Sequence, residues 1–183
     1  WLRAMVDVTP IADDADEKLS LDAYIETWPH DSFAIPELQA FKAGLTDHAD
    51  LLAREDGAVL GSGFAALFPG FRDRITVFVT VPALNRRRGA GTALYEALSR
   101  WARERGIEVV VAVVADNDPE SLAFAERRGF EEERREKGVS LDLTAIEAPV
   151  IEPPEGVEIV SWAERPELAH GIYEVSVEAS PDV

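Results

Sequence analysis

The residues best suited to chemistry in this sequence stand in one run, Asn85-Arg86-Arg87-Arg88-Gly89-Ala90-Gly91-Thr92. Three consecutive arginines precede two glycines and the start of an apolar helical repeat. A glycine-rich turn that opens a helix points converging backbone N–H groups at one spot, which is an anion site suited to phosphate. The arginines sharpen the question. A helix start carries partial positive charge, so each cation beside it is unfavourable by roughly 0.3–1 kcal/mol. Either the three side chains turn out into solvent, or something strongly anionic sits among them. Two phosphate-binding patterns fail on these residues. The dinucleotide pattern G-x-G-x-x-G is broken by Leu94, where its third glycine would stand, and the Gly-Lys-Ser/Thr ending of the P-loop is missing. What is present is R-x-x-G-x-G over residues 86–91, directly after Val79-Thr80-Val81-Pro82.

The elements that must position this turn are legible on both sides. Residues 5–11 alternate as a short strand, and 12–28 read as an acidic helix capped by Asp13 or Asp14, with Leu19, Ala23 and Tyr24 as its buried stripe. A second helix is expected over 35–45, with Pro36 tolerated in its first turn. Residues 51–54, the Asp56-Gly57 pair and residues 58–68 form a hairpin signal, with Gly61 and Gly63 marking a bulge or a close backbone approach. Residues 74–81 (RITVFVTV) make a β-branched strand, so antiparallel strands lead up to the glycine turn. After it, Ala90, Leu94, Ala97, Leu98 and Trp101 recur at helical spacing, up to Gly106. The run VVVAVV at 109–114 is the mark of a strand covered on both faces. Strand, helix, strand implies a right-handed parallel crossover. A helix over 119–128, capped by Asn117 or Asp118 and stopped by Gly129, precedes a charged, alternating strand or strand pair over 130–143. The fold class expected is a mixed α/β sheet, antiparallel first and parallel later, flanked by helices.

Over about residues 5–143 this arrangement resembles the GNAT superfamily of acyl-CoA-dependent N-acetyltransferases. The loop motif, the V-x-V-P before it, the order of elements and the later Asn117…Phe124…Gly129-Phe130 segment together carry the resemblance. It implies that acetyl-CoA is the acyl donor, with its pyrophosphate on the backbone amides of Arg87, Arg88, Gly89, Ala90, Gly91 and Thr92, and that the Arg86, Arg87 and Arg88 side chains add charge. A glycine at 89 and at 91 would let the phosphate approach closely. Val79 and Val81 would offer backbone groups to the pantetheine arm where their strand splays from residues 109–114. Asn117 would hydrogen-bond that arm and Phe124 would pack on it; the plainer readings are a helix cap for Asn117 and a core aromatic for Phe124.

The catalytic residues are not legible. Amine acetylation needs a neutral amine, donors for the developing oxyanion and a proton for the departing thiolate. In many relatives a tyrosine four residues before the Gly-Phe pair supplies that proton, and here the position is Ala125. Ser121, one helical turn earlier, is a substitute or an ordinary first-turn residue. Glu26, His30 and Asp31 are candidates to engage the amine, or are surface and turn residues.

The bulk composition narrows the partners. With 35 acidic and 18 basic residues the net charge is −17, which argues against general nucleic-acid binding. Cysteine is absent, which removes thiolate ligands and thiol nucleophiles, and His30, His48 and His170 are too scattered to suggest a metal. No apolar run approaches a membrane span, so a soluble, cytoplasmic bacterial protein is the default expectation. The partner expected is a small-molecule amine, with homodimerisation or pairing with a second domain of the same kind left open. Trp1 is not an initiator, so a fragment or trimmed start is expected. Residues 1–147 form the expected acetyltransferase domain and 148–156, rich in proline and glutamate, a linker. Residues 157–183 echo the start of the chain, as the beginning of a second repeat in the manner of tandem proteins resembling mycothiol synthase, or as a C-terminal extension.

Overall fold

A computed structural model describes residues 5–29, 33–139, 141–147, 150 and 152–179. His30 and Asp31 lie outside the described residues. Two compact units divide the chain, Trp1–Glu131 and Glu132–Val183.

The first unit is built on a five-stranded sheet in the order β1 (Asp7–Pro10), β2 (Asp47–Glu55), β3 (Ala58–Leu67), β4 (Arg74–Thr80) and β5 (Val109–Ala112). The first four strands pair antiparallel and β5 runs parallel to β4. This is the expected mixed sheet. Helices α1 (Asp14–Thr27) and α2 (Ile35–Ala43) separate β1 from β2, α3 (Ala90–Glu104) forms the β4–β5 crossover, and α4 (Pro119–Glu126) follows β5. The β2–β3 register slips between Ala53 and Arg54, the bulge that the glycines announced. Gly61 is the close approach: a Cβ there would lie 2.4 Å from the Thr80 carbonyl oxygen.

Alternation along β3 sets the layers. The Ser62 hydroxyl reaches the Ser20 carbonyl of α1, while a Cβ on Gly63 would touch Leu94 and Leu98 of α3 at 3.2 Å. So α1 and α3 cover opposite faces. Under α3, Leu94, Leu98 and Ala102 pack with Leu60, Ala65 and Ile75, each almost fully buried. Side chains of this size contribute roughly 1.5–3 kcal/mol each on burial, which makes α3 the best anchored helix and its N-terminus a rigid platform.

Several expectations are corrected. In α1 the buried apolar positions are Leu21 and Ala23, not Leu19, which is exposed. Helix α2 stops at Ala43, two residues early, with Gly44 capping it. Strand β5 is not covered on both faces: it pairs with β4 alone among the described strands, and Val109 and Val113 are exposed. Residues 130–143 form no strand where they are described. Seven consecutive charged residues, 131–137, supply no apolar face to bury, and they pair locally, as Arg135 with Glu132 and Arg134 with Glu136. The second unit contains one helix, α5 (Ala169–Ala179), preceded by a short 3-10 turn at Pro166–Leu168. The strand that an echo of residues 6–8 at 157–159 would require does not form.

Candidate active site

The ladder between β4 and β5 ends at Val77 and Ala112, yet β4 continues to Thr80. Beyond that point the two strands part. A cavity of about 1220 Å³ occupies the gap, with Val79 and Val81 on one side and Val113 and Val114 on the other. Every residue proposed from the sequence to bind the cofactor, except Arg88, lines it: Val79, Val81, Arg86, Arg87, Gly89, Ala90, Gly91, Thr92, Asn117 and Phe124.

The glycine turn closes one end of this cavity. Gly89 is the N-cap of α3 at φ 100°, a left-handed conformation that a side chain would strain, and Arg87 holds φ 63° two residues earlier. The four long helices of this unit do not begin alike. The α1 start is capped by the Asp13 carboxylate and that of α4 by Asp118, while Glu37 reaches back to the Ala34 amide of α2. Each of these helices also carries acidic residues in its first turn. At α3 there is no side-chain cap and no acid. Among the described residues, none of the six backbone N–H groups from Arg87 to Thr92 donates to a protein acceptor; the first to do so is Ala93, to Gly89. Six amides on a convergent turn are the donor set an anion requires.

The arginines answer the question of the triplet by pairing with the chain itself, although Arg87 is also largely exposed to solvent. Arg86 donates to both Asp118 oxygens, at 2.8 and 3.3 Å, to Glu120 at 3.3 Å and to the Val81 carbonyl at 3.2 Å. Arg87 binds Glu120 and Arg88 binds Glu55. All three cations are therefore matched by carboxylates of the chain itself, from α4 and from the end of β2. The Asp118 carboxyl falls from 3.8 to about 2, chiefly through its hydrogen bond from Arg86, which outweighs the opposing effect of burial; the Ser121 amide and hydroxyl assist. The bond to Asp118, with a smaller effect of Glu120, raises the Arg86 guanidinium against the opposing effect of burial.

Other residues take roles the sequence left open. Asp118, not Asn117, caps α4, accepting from the Glu120 and Ser121 amides at 3.1 Å, so Asn117 is left on the cavity wall with no capping duty. The Ser121 hydroxyl donates to Asp118 at 2.8 Å, which commits its proton to that carboxylate. Packing favours a glycine at 91, since a Cβ there would meet the Phe124 ring at 3.3 Å. Ala125 lines the cavity, as do Glu26 and Trp28 from the end of α1. Sequence reasoning missed Tyr95, whose ring packs on Phe124 and Phe130, and Arg128, which lies 3.4 Å over the Phe124 ring centroid and donates to Thr92 Oγ1 at 2.8 Å. Only their place, Tyr95 on the α3 face bordering the motif and Arg128 directly after α4, could have signalled them. Among the described residues no group of three or more histidine, aspartate or glutamate side chains is arranged to hold a metal ion. No described helix is long and apolar enough to cross a membrane.

The model of the acetyltransferase (GNAT) family matches residues 16–130, which span β2 to β5, the glycine turn and the cavity lining. The chain belongs to the GNAT acetyltransferase family. No curated protein matches the sequence. Among solved structures, an aminoglycoside acetyltransferase from an uncultured soil metagenomic sample superposes with TM-score 0.58 at 22% identity, covering 75% of this chain and 99% of that one. AAC(6')-Iy, in complex with the bisubstrate analogue CoA-S-monomethyl-acetylneamine, gives 0.59 at 18%, with 76% and 99% covered. A transcriptional regulator from Bacillus halodurans gives 0.59 at 18%, with 75% and 100% covered. At these identities the likeness shows the GNAT fold, whereas the family membership implies an acyltransferase using acetyl-CoA.

Proposed function

We propose that the protein is an acyl-CoA-dependent N-acetyltransferase that moves an acetyl group from acetyl-CoA directly to a small-molecule amine. The observation that carries this reading is the run of six acceptor-free amides, Arg87 to Thr92, at the end of a cavity opened by the parting of β4 and β5. The donor set suits a diphosphate, and the gap suits a narrow chain laid along β4. Acetyl-CoA brings an activated thioester; the rest falls to this chain. The 87–92 amides hold the diphosphate, Val79 and Val81 present backbone groups to the pantetheine, Asn117 hydrogen-bonds it and Phe124 packs on it. Glu26, on the cavity wall, is placed to attract a cationic amine. Calorimetric titration with acetyl-CoA, paired with release of free CoA thiol across a panel of amines, tests the reading. Binding with amine-dependent thiol release is expected; absence of binding overturns it.

One observation favours a second reading. Ala125 leaves the cavity wall without a proton donor at the family's tyrosine position, and the Ser121 hydroxyl is committed to Asp118. We infer, as the alternative, a non-catalytic acetyl-CoA-binding domain of a tandem protein resembling mycothiol synthase, with residues 157–183 opening a second repeat. It predicts binding without thiol release by this chain, and release once a complete second domain is supplied.

A further inference from the structure

The charges around the glycine turn do not cancel. Arg86, Arg87 and Arg88 each meet a carboxylate, but Arg128, directly after α4 and across from the first turn of α3, meets none within ion-pairing distance among the described residues. Its guanidinium is nevertheless held firmly. Nη2 donates to Thr92 Oγ1 at 2.8 Å and Nη1 to the Phe124 carbonyl at 3.0 Å, while the plane lies over the Phe124 ring at 3.4 Å and within 5.3 Å of the Tyr95 ring. Burial lowers its proton affinity, Tyr95 raises it, Arg127 lowers it and Glu96 raises it. Arginine stays charged throughout, so the result is a fixed, partly desolvated cation.

Five N–H groups are available on a guanidinium and two are used here. The Nη2 group lies beside Thr92, whose amide is the last of the six that are acceptor-free. We infer that Arg128 is a phosphate-binding residue, pairing with the diphosphate that the Arg87–Thr92 amides hold, and that it supplies the uncompensated charge which the arginine triplet has already spent on carboxylates. This inference rests on the acyl-CoA reading above. The stack on Phe124 then has a purpose: the ring beneath the cation orients its fork toward the turn and sheds water from it.

The test is calorimetric titration of the wild-type chain, Arg128→Met and Arg128→Lys with CoA and with 3'-dephospho-CoA, at low and moderate salt. Arg128→Met keeps the apolar stem and should lose roughly 10- to 100-fold in affinity for both ligands alike, the worth of one charge-assisted hydrogen bond pair. Its affinity should also depend less steeply on salt than that of the wild type. Arg128→Lys keeps the charge without the fork, so it should recover part of the loss and retain the wild-type salt dependence. Those two slopes separate a charge role from a packing role, and the lysine variant alone decides the matter if the methionine variant does not fold. Unchanged affinity in Arg128→Met overturns the inference and leaves the acyl-CoA reading standing. A deficit seen with CoA but absent with 3'-dephospho-CoA also overturns it, by moving Arg128 to the 3'-phosphate. Failure of the wild-type chain to bind either ligand removes the acyl-CoA reading itself.

Discussion

Replacing Asp118 by asparagine isolates the charge of the bracket that joins the glycine turn to α4. Asparagine caps a helix about as well as aspartate, so the bonds to the Glu120 and Ser121 amides can persist. What is lost is the ion pair with Arg86, in which both side chains are only about a quarter exposed, at 24% and 25%. A carboxyl held at about 2 in the fold, against an ordinary 3.8, contributes about 2 kcal/mol at neutral pH. Glu120, 3.3 Å from the Arg86 guanidinium, takes over part of the pairing in the variant. The expected cost of Asp118→Asn at pH 7 is therefore about 1–2 kcal/mol. The pH dependence has a fixed sign. Because the folded-state value is depressed, the stabilisation is complete well above pH 3.8 and is lost as pH falls toward about 2. The gap between the two proteins should stay level from pH 5 upward and shrink to about half near pH 3. Urea unfolding followed by far-UV circular dichroism at pH 7 and pH 3 measures both quantities. A difference below about 0.5 kcal/mol at pH 7, the range of an ordinary surface pair, or a gap that acid leaves untouched, would refute the reasoning.

Gly89→Val forces a β-branched residue to φ 100°, and acetyl-CoA binding, read by calorimetry, should fall below detection at a stability cost of roughly 1–3 kcal/mol. Gly61→Ala sets a methyl 2.4 Å from the Thr80 carbonyl oxygen, and thermal melting should show a loss of about 1–3 kcal/mol. Ala125→Tyr places a phenol on the cavity wall; if thiolate protonation limits the reaction, kcat for thiol release rises, and an unchanged kcat assigns the limit to another step. Glu26→Gln should raise KM for cationic amines and leave the affinity for acetyl-CoA unchanged.

What the sequence disclosed were the features written in local pattern. The α3 stripe of Ala90, Leu94 and Leu98, the hairpin at Asp56-Gly57 and the β-branched β4 have periods that only one geometry satisfies, and the structure places each of them as expected. The splay was accessible only through the family resemblance, because nothing in VFVTV says that pairing stops at Val77. Charge was the poorest guide. The partners of Arg86, Arg87 and Arg88 lie 32 to 34 residues away in α4 and β2, and composition cannot foretell which carboxylate of 35 the fold will bring near. The reading of residues 109–114 failed for a related reason. An apolar run states what the strand can tolerate, whereas the exposure of Val109 and Val113 depends on neighbours that the run itself does not name.

The arginine triplet looks at first like a phosphate clamp, and its geometry argues for something closer to a frame. Arg86 bonds Val81, the residue directly after β4, on one side and the cap of α4 on the other, so it spans the mouth of the gap. A clamp would need its guanidinium free to meet the ligand, but a frame needs it tied. Tied as it is, Arg86 fixes the distance between β4 and α4, and hence between the amides at Gly89–Thr92 and the Phe124 ring that packs on Gly91. In a chain of net charge −17, nearby carboxylates would repel an incoming polyanion unless they were neutralised. Pairing Asp118, Glu120 and Glu55 with the triplet removes that repulsion and keeps the amides accessible in one step. The cations ahead of α3 are thereby compatible with its positive end, since carboxylates pair with them close by; in the function proposed above, the attraction for the diphosphate falls to the peptide groups and to Arg128.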